Sequence, residues 1–271
     1  MLGINTNVPS LTAQKNLGSS SASINTSIAR LSSGLRINSA RDDAAGLAIA
    51  TRMSSEVRGS EVAKRNTNDG ISALQIADGA LASMTDGVQR MRELAVQAAT
   101  GTLTTDDRTN LLAEFDALGA QLTDIATDTK FNGVSLLTGT PANLAIQTGA
   151  NSGDTTTVNL VNGSTIATAV DGADISTAAA ATTALTTIDA QLTALNTGRA
   201  TIGAGINRLD AVVSNLDTTV TNVSAARGRI MDADFAKETA NLTRTQILQQ
   251  AGTAMLAQAN QLPNNVLSLL R

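Results

Sequence analysis

Apolar residues fall at Leu185, Ile188, Leu192, Leu195, Ile202, Ile206, Leu209, Val213, Leu216, Val220 and Val223, in steps of three and four that only Arg199 interrupts. Sustained in this way, the spacing writes one narrow stripe along a single helix of roughly 58 Å, at about 1.5 Å per residue. Burying such a stripe contributes on the order of 15–30 kcal/mol gross, an upper bound, whereas helix propensity alone leaves so Thr- and Asn-rich a segment marginal. The stripe therefore needs partners, and the chain supplies them. A helix is predicted from about residue 44 to 100, with Leu74, Leu81, Val88 and Ala95 as one heptad row and Ala77, Met84, Met91 and Ala98 as the other. Gly101 ends it, Thr104 to Asp107 gives a capping signal, and Leu111, Phe115, Leu118, Leu122 and Ile125 mark a shorter third helix. The fold class that follows is mainly α: a long antiparallel helical bundle or coiled coil.

The pattern changes after residue 133. Leu144, Ile146 and Thr148 alternate, as do Thr156, Val158 and Leu160, around a Gly- and Asn-rich loop. Period-two runs of this kind predict a β-hairpin, placed near 133–162. Residues 161–180 are Ala, Thr, Gly and Asp for the most part and are expected to form a loop or short flap. The ends mirror each other. Residues 1–10 read as an irregular leader, and from Leu11 a helical pattern places Leu17, Ile24 and Leu31 seven apart, with Ile28 and Leu35 beside them. Past a break expected near Arg227-Gly228-Arg229, the last helix carries Leu248, Ala251, Met255, Ala259, Leu262, Val266 and Leu269, with Pro263 expected to kink it or start its final turn. Ser19, Ser20, Ser21 and Ser23 weaken the first helix, so it is expected to order only against other chains. The division that follows is 1–43, 44–225 and 226–271.

Composition narrows the chemistry. Hydrophobic content is an ordinary 42%, but aromatics are 1%, three Phe with no Trp or Tyr, which favours thin aliphatic seams over a thick core. With no His and no Cys, the commonest general base, metal ligand and thiol nucleophile are all absent, so neither an enzyme nor a cofactor is expected. The 19 basic and 23 acidic residues give no field for nucleic acid. No apolar run suits a membrane span, and no secretory signal is visible, so export would need another route. Asp42-Asp43 with neighbouring Arg has no further ligand type at metal-site spacing and reads as the start of a helix. Gly203-Ala204-Gly205 follows no strand and lies inside the heptads, so it reads as a structural Gly pair rather than a dinucleotide loop.

Several runs resemble bacterial flagellin: Arg30-Leu31-Ser32-Ser33-Gly34-Leu35-Arg36-Ile37-Asn38-Ser39-Ala40 with Asp42-Asp43-Ala44-Ala45-Gly46-Leu47, then Val88 to Gln97, Lys130-Phe131-Asn132-Gly133, Ile146-Gln147-Thr148-Gly149-Ala150-Asn151, and Ala225 to Arg271. The resemblance implies a secreted, self-assembling subunit of the flagellar filament, used for motility. Segments 1–43 and 226–271 would form the inner tube, with Leu17, Ile24, Ile28, Leu31, Leu35, Leu248, Met255, Leu262, Val266 and Leu269 at the subunit interface. Segment 44–225 would form the surrounding shell, in a short form without variable outer domains between about 163 and 180. The family further implies export as unfolded chain through the flagellar type III apparatus, with an export chaperone, a filament cap and hook-junction proteins as partners. It also implies recognition by Toll-like receptor 5 through Gln89, Arg90, Leu94 and Glu114. The alternatives are a hook-filament junction protein, which Lys130-Phe131-Asn132-Gly133-Val134 disfavours, and a soluble helical signalling module.

Overall fold

The computed structural model describes residues 6–139 and 143–268, with side chains described as far as residue 261. The elements run α1 (Val8–Ser33), α2 (Ala44–Ala98), α3 (Thr105–Asp128), β1 (Lys130–Phe131), β2 (Val134–Ser135), β3 (Asn143–Gln147), β4 (Thr155–Asn159), α4 (Gly163–Asp171), α5 (Ala178–Met231) and α6 (Phe235–Ser268). They divide into a central unit, Glu56–Thr221, and a terminal unit made of Met1–Ser55 and Asn222–Arg271.

In the central unit α2 and α5 run antiparallel, as their cross-pairs show: Lys64 with Asp217 at 2.6 Å, Asp78 with Arg199 at 2.9 Å, and Arg92 with Asp189 at 2.7 Å. Arg199, the one break in the α5 stripe, therefore faces a carboxylate on α2. Both heptad rows of α2 are buried in full, from Leu74 to Ala98, and meet Ile188, Leu195, Ile202 and Leu209 of α5. These side chains recur every seven residues because that interval returns the same face of a helix to its neighbour. Met84 and Met91 fill the seam as ordinary core residues.

The third helix folds back over α2 and inserts Phe115, Leu122 and Ala126 into the same cluster. Its start is fixed by a capping box: Thr104 Oγ1 accepts from the Asp107 amide, and Asp107 accepts from the Thr104 amide at 3.0 Å. The Arg108 guanidinium then donates to the Ala98 and Thr100 carbonyls at 2.9 and 2.7 Å, which satisfies the open C-terminus of α2.

The expected hairpin forms as β3 and β4, paired antiparallel from Asn143↔Asn159 to Gln147↔Thr155. Ile146, Thr156 and Val158 are buried. The hairpin seats against glycines on both long helices. A Cβ on Gly70 would collide with Ile146, one on Gly205 would stand 2.8 Å from Val158 Cγ1, and one on Gly198 would stand 2.7 Å from Val161 Cγ1. The Gly203-Ala204-Gly205 pair thus has a packing role at its second glycine alone; a Cβ on Gly203 meets nothing within 4 Å.

Two local features differ from expectation. Residues 161–180 are not simply a loop: α4 occupies 163–171, with Asn162 accepting from the Thr165 amide at 3.1 Å and Ile166, Ala167 and Val170 buried. Nine residues are too few for a clear period, which is why composition alone read as a flap. A second, two-residue ladder joins Lys130↔Ser135 and Phe131↔Val134. Its turn has Asn132 at φ 49° and Gly133 at φ 81°, the paired positive values of a type I′ turn, for which Asn-Gly is the favoured sequence.

In the terminal unit α1 begins at Val8 rather than Leu11. Asn7 caps it by accepting from the Ser10 amide, and Pro9 sits in the first turn, where its missing N–H costs nothing. Gly34 closes the helix at φ 72°, its amide donating to the Arg30 carbonyl. The helix α5 runs to Met231, past the break expected near 227–229, and a short antiparallel bridge between Leu35 and Asp232 joins the two connections. Arg36 donates its amide to the Met231 carbonyl at 2.6 Å and its guanidinium to the Ile230 carbonyl, while the Ala233 amide donates to the Gly34 carbonyl at 2.9 Å. Asp43 accepts from the Gly46 amide at 2.8 Å, as a residue opening a helix should. Pro263 is accommodated inside α6, which continues to Ser268.

Candidate assembly surface

The two terminal helices pair antiparallel. Asn7 Nδ2 donates to the Ala259 carbonyl at 2.8 Å, Ser10 Oγ to Asn260 Oδ1 at 2.8 Å, and Ser27 Oγ to Glu238 Oε1 at 2.5 Å. Arg30 adds an ion pair to Glu238 at 3.8 Å, while its own buried Nε has no partner. What is buried along this seam is small or polar: Ser10 and Ser27 on α1, Glu238 and Ala259 on α6. Polar contacts of this kind fix register but contribute only about 1 kcal/mol each. Such pairs set the register of α1 against α6 and supply little of the energy that apolar burial could.

The large apolar side chains lie elsewhere. Leu17, Ile24, Leu31 and Leu35 are half-buried, whereas Ile28 is 50% exposed, Leu248 51% and Met255 65%. Leu17, Leu248 and Met255 come together around an open groove of about 770 Å³, floored on α1 by Val8, Pro9, Thr12 and Ala13 and on α6 by Ala251 and Gly252. The side chains of Leu262 and Val266, and Leu269 altogether, fall outside the described residues. Leu11, where the helical pattern of the sequence begins, is exposed as well, and so are Val8, Phe235 and Ile247, which lie outside the heptad series. Val8 stands three residues before Leu11, so a helical step back from Leu11 would have added it to the face, whereas Ile247 is the immediate neighbour of Leu248 and falls beside the stripe. Eight of the exposed large hydrophobic residues thus belong to the terminal unit: Val8, Leu11, Ile28, Ile49, Phe235, Ile247, Leu248 and Met255. At 39–65% exposure, covering what remains of each is worth roughly 1–2 kcal/mol, and over eight side chains that exceeds what the polar seam supplies.

Of the second predicted set, Arg90 and Glu114 are brought together across α2 and α3. The Arg90 guanidinium donates to Glu114 Oε1 at 3.0 and 2.8 Å and to Glu93 Oε2 at 2.9 Å. Glu114 first, then Glu93, hold the guanidinium in its charged form above the ordinary arginine value. Gln89 is exposed and borders a shallow hollow with Arg92, Glu93 and Val96. Leu94 does not join them at the surface: it is 1% exposed and belongs to the core cluster, because position 94 follows Met91 by three residues on the inward face.

Among the described residues no three His, Cys, Asp or Glu gather as a metal site, and no helix is long and apolar enough to cross a membrane. The arrangement is that of a helical structural protein: one unit is a well-filled bundle, and the other is a pair of terminal helices that leaves large apolar side chains exposed. Residues 4–142 match the bacterial flagellin N-terminal helical region, and residues 185–270 match the bacterial flagellin C-terminal helical region. The chain is 46% identical to a flagellin of Halalkalibacterium halodurans over 99% of both chains, and 39% identical to flagellin FlaB2 of Treponema pallidum over 99% of both. It is also similar to the crystal structure of Bacillus cereus flagellin, at 36% identity and a TM-score of 0.51, covering 60% of this chain and 94% of that one. The chain belongs to the bacterial flagellin family, in its short form, as a structural subunit of the extracellular flagellar filament.

Proposed function

We propose that α1 and α6 of each subunit form the inner tube of the filament and that the groove bordered by Leu17, Leu248 and Met255 is filled there by neighbouring copies. The observation that carries this reading is the mismatch within the terminal unit: a seam whose fully buried residues are small or polar, beside a face of exposed apolar side chains. A surface that only further copies can cover, repeated head to tail without closing, extends into a filament. Ile24, Ile28, Leu31 and Leu35 belong to the same interface, and the central unit forms the shell. Charge supports the same packing, since the terminal unit holds ten basic and five acidic residues and the central unit nine and eighteen. Opposite signs on the two units favour contacts between unlike units of successive subunits.

The finer steps follow family membership. The chain leaves the cell unfolded through the flagellar type III apparatus, escorted by an export chaperone, and adds at the distal tip beneath a filament cap, on a filament begun at the hook-junction proteins. Full-length identity of 46% to a flagellin favours the filament subunit over a junction protein. Toll-like receptor 5 would meet exposed Gln89, Arg90 and Glu114, with Leu94 supporting α2 from beneath.

Seeded growth tests the interface. Leu17→Ser with Leu248→Ser should leave the central bundle folded, by its helical circular dichroism and thermal transition, yet abolish elongation of filament fragments. Limited proteolysis should cut the free subunit within 1–40 and 230–271 and spare both segments in filaments. Equal protection in the two states, or normal elongation by the double variant, would refute the assignment.

A further inference from the structure

We infer that Met255 is an oxidation-sensitive site that gates entry of the subunit into the filament; the inference rests on the interface proposed above. Methionine chemistry depends on access, and the five described methionines differ sharply in it. Met84 and Met91 are fully enclosed in the central core, and Met53 and Met231 are half-buried. Met255 alone among them is an exposed side chain, at 65%, and it borders the groove between α1 and α6. On α6 it shares the groove with Leu248, Ala251 and Gly252, and the polar side chains of the lining, Thr12, Asn16, Ser19 and Ser20, all stand on α1.

The thioether suits such a place while it is reduced, because its polarisable, unbranched chain adapts to an irregular apolar partner. A peroxide changes that. One oxygen is transferred to Met255 Sδ, the O–O bond breaks, water leaves when the oxidant is hydrogen peroxide, and the sulfur is oxidised by two electrons to the sulfoxide. The product is bulkier and a strong, well-hydrated acceptor, so covering it with the apolar face of a neighbouring subunit strips its water and returns no hydrogen bond from that face. The site is reachable only before assembly, when the groove is open. Oxidation therefore acts on free subunits on their way to the tip rather than on those already packed. Because sulfoxide is reversible by reductases, the block is reversible too.

The parent protein provides the test. Free subunit is treated with hydrogen peroxide until about half of Met255 is sulfoxide by peptide mass spectrometry, filament seeds are added, and pelleted and soluble fractions are compared. The expected result is about tenfold depletion of Met255 sulfoxide in the pellet, recovery of growth after methionine sulfoxide reductase, and slow oxidation of Met255 in preformed filaments. Met255→Leu, close in volume, should elongate seeds equally well before and after the same treatment. Equal sulfoxide content in pellet and supernatant overturns the inference, as does loss of growth by treated Met255→Leu matching that of the treated parent. Failure of the untreated parent to elongate seeds overturns the filament reading itself, and is thereby distinguished from failure of this step.

Discussion

Gly203 and Gly205 stand two residues apart on one helix, and the same substitution at each should move stability in opposite directions. In a helix interior, Gly→Ala restricts the unfolded chain and improves propensity, a gain of about 0.5–1 kcal/mol when the new methyl meets nothing. At Gly203 a Cβ has no neighbour within 4 Å, so Gly203→Ala should realise that gain. At Gly205 the methyl would lie 2.8 and 3.1 Å from the two Cγ atoms of Val158. Those atoms cannot swing aside: Val158 is β-branched, 4% exposed, and held in β4 by its pairing with Leu144. Overpacking of this kind costs about 1–3 kcal/mol, which exceeds the propensity gain and leaves Gly205→Ala destabilising by about 1–2 kcal/mol.

Urea unfolding of the full chain, followed by circular dichroism at constant m, reads both effects. The thermal midpoint of the main transition should rise by about 1–4 °C for Gly203→Ala and fall by about 2–8 °C for Gly205→Ala. Combining Gly205→Ala with Val158→Ala should recover part of the loss, since removing the two methyls vacates the space the new Cβ needs; a coupling of about 0.5–2 kcal/mol is expected for residues in contact. Shifts of the same sign at Gly203 and Gly205, or strict additivity with Val158→Ala, would refute the idea that the hairpin is seated on a glycine notch.

Two further outcomes follow from the polar contacts. The Asp107, Asp189 and Asp42 carboxylates are all held below the ordinary aspartate value: Asp107 by the Thr104 hydroxyl and amide, Asp189 by Arg92, and Asp42 by the amides of Asn38 and Ser39. A depressed native pKa means that the unfolded chain binds more protons, so these contributions are complete above about pH 4–5 and are lost as pH falls through the lowered native values; urea midpoints between pH 2 and 6 should show that slope, and Asp189→Asn should flatten it. At the seam, Glu238→Leu strands the Ser27 hydroxyl and the Arg30 guanidinium, whose Nε is already unpartnered, and should loosen the α1–α6 pair by about 1–3 kcal/mol. Glu238→Gln keeps an acceptor for Ser27 and should lose less, as measured by amide exchange in α1.

How much of this could be seen in the chain before its structure depended on whether a signal was periodic. The long helices announce themselves because Leu74, Leu81 and Val88 or Ile188, Leu195 and Ile202 repeat over many turns, and each repetition restates the same inward face. The capping box at Thr104 and the alternation of Leu144 and Ile146 were legible for the same reason: a fixed spacing with a single physical purpose. The helix at 163–171 carries too few turns to repeat anything, and the positions of Gly198 and Gly205 acquire meaning only when Val161 and Val158 arrive from far along the chain. The assembly surface falls between these cases. Its stripe was readable, but a stripe does not say which of its members the chain itself will cover. That was decided by Ser10, Ser27, Glu238 and Ala259, the small and polar residues that let α1 and α6 approach on one side. With that side occupied, Ile28, Leu248 and Met255 have no place left within their own subunit, and their exposure is the consequence of the seam rather than a failure to pack. Replacing the polar seam as a set, with Leu at Ser27 and Glu238 and Met at Arg30 so that no charge is stranded, should therefore do two things at once: strengthen the pair in the free subunit and slow its addition to filament seeds, because part of the apolar face would turn inward. Faster addition together with a more stable free subunit would show that seam and surface are independent.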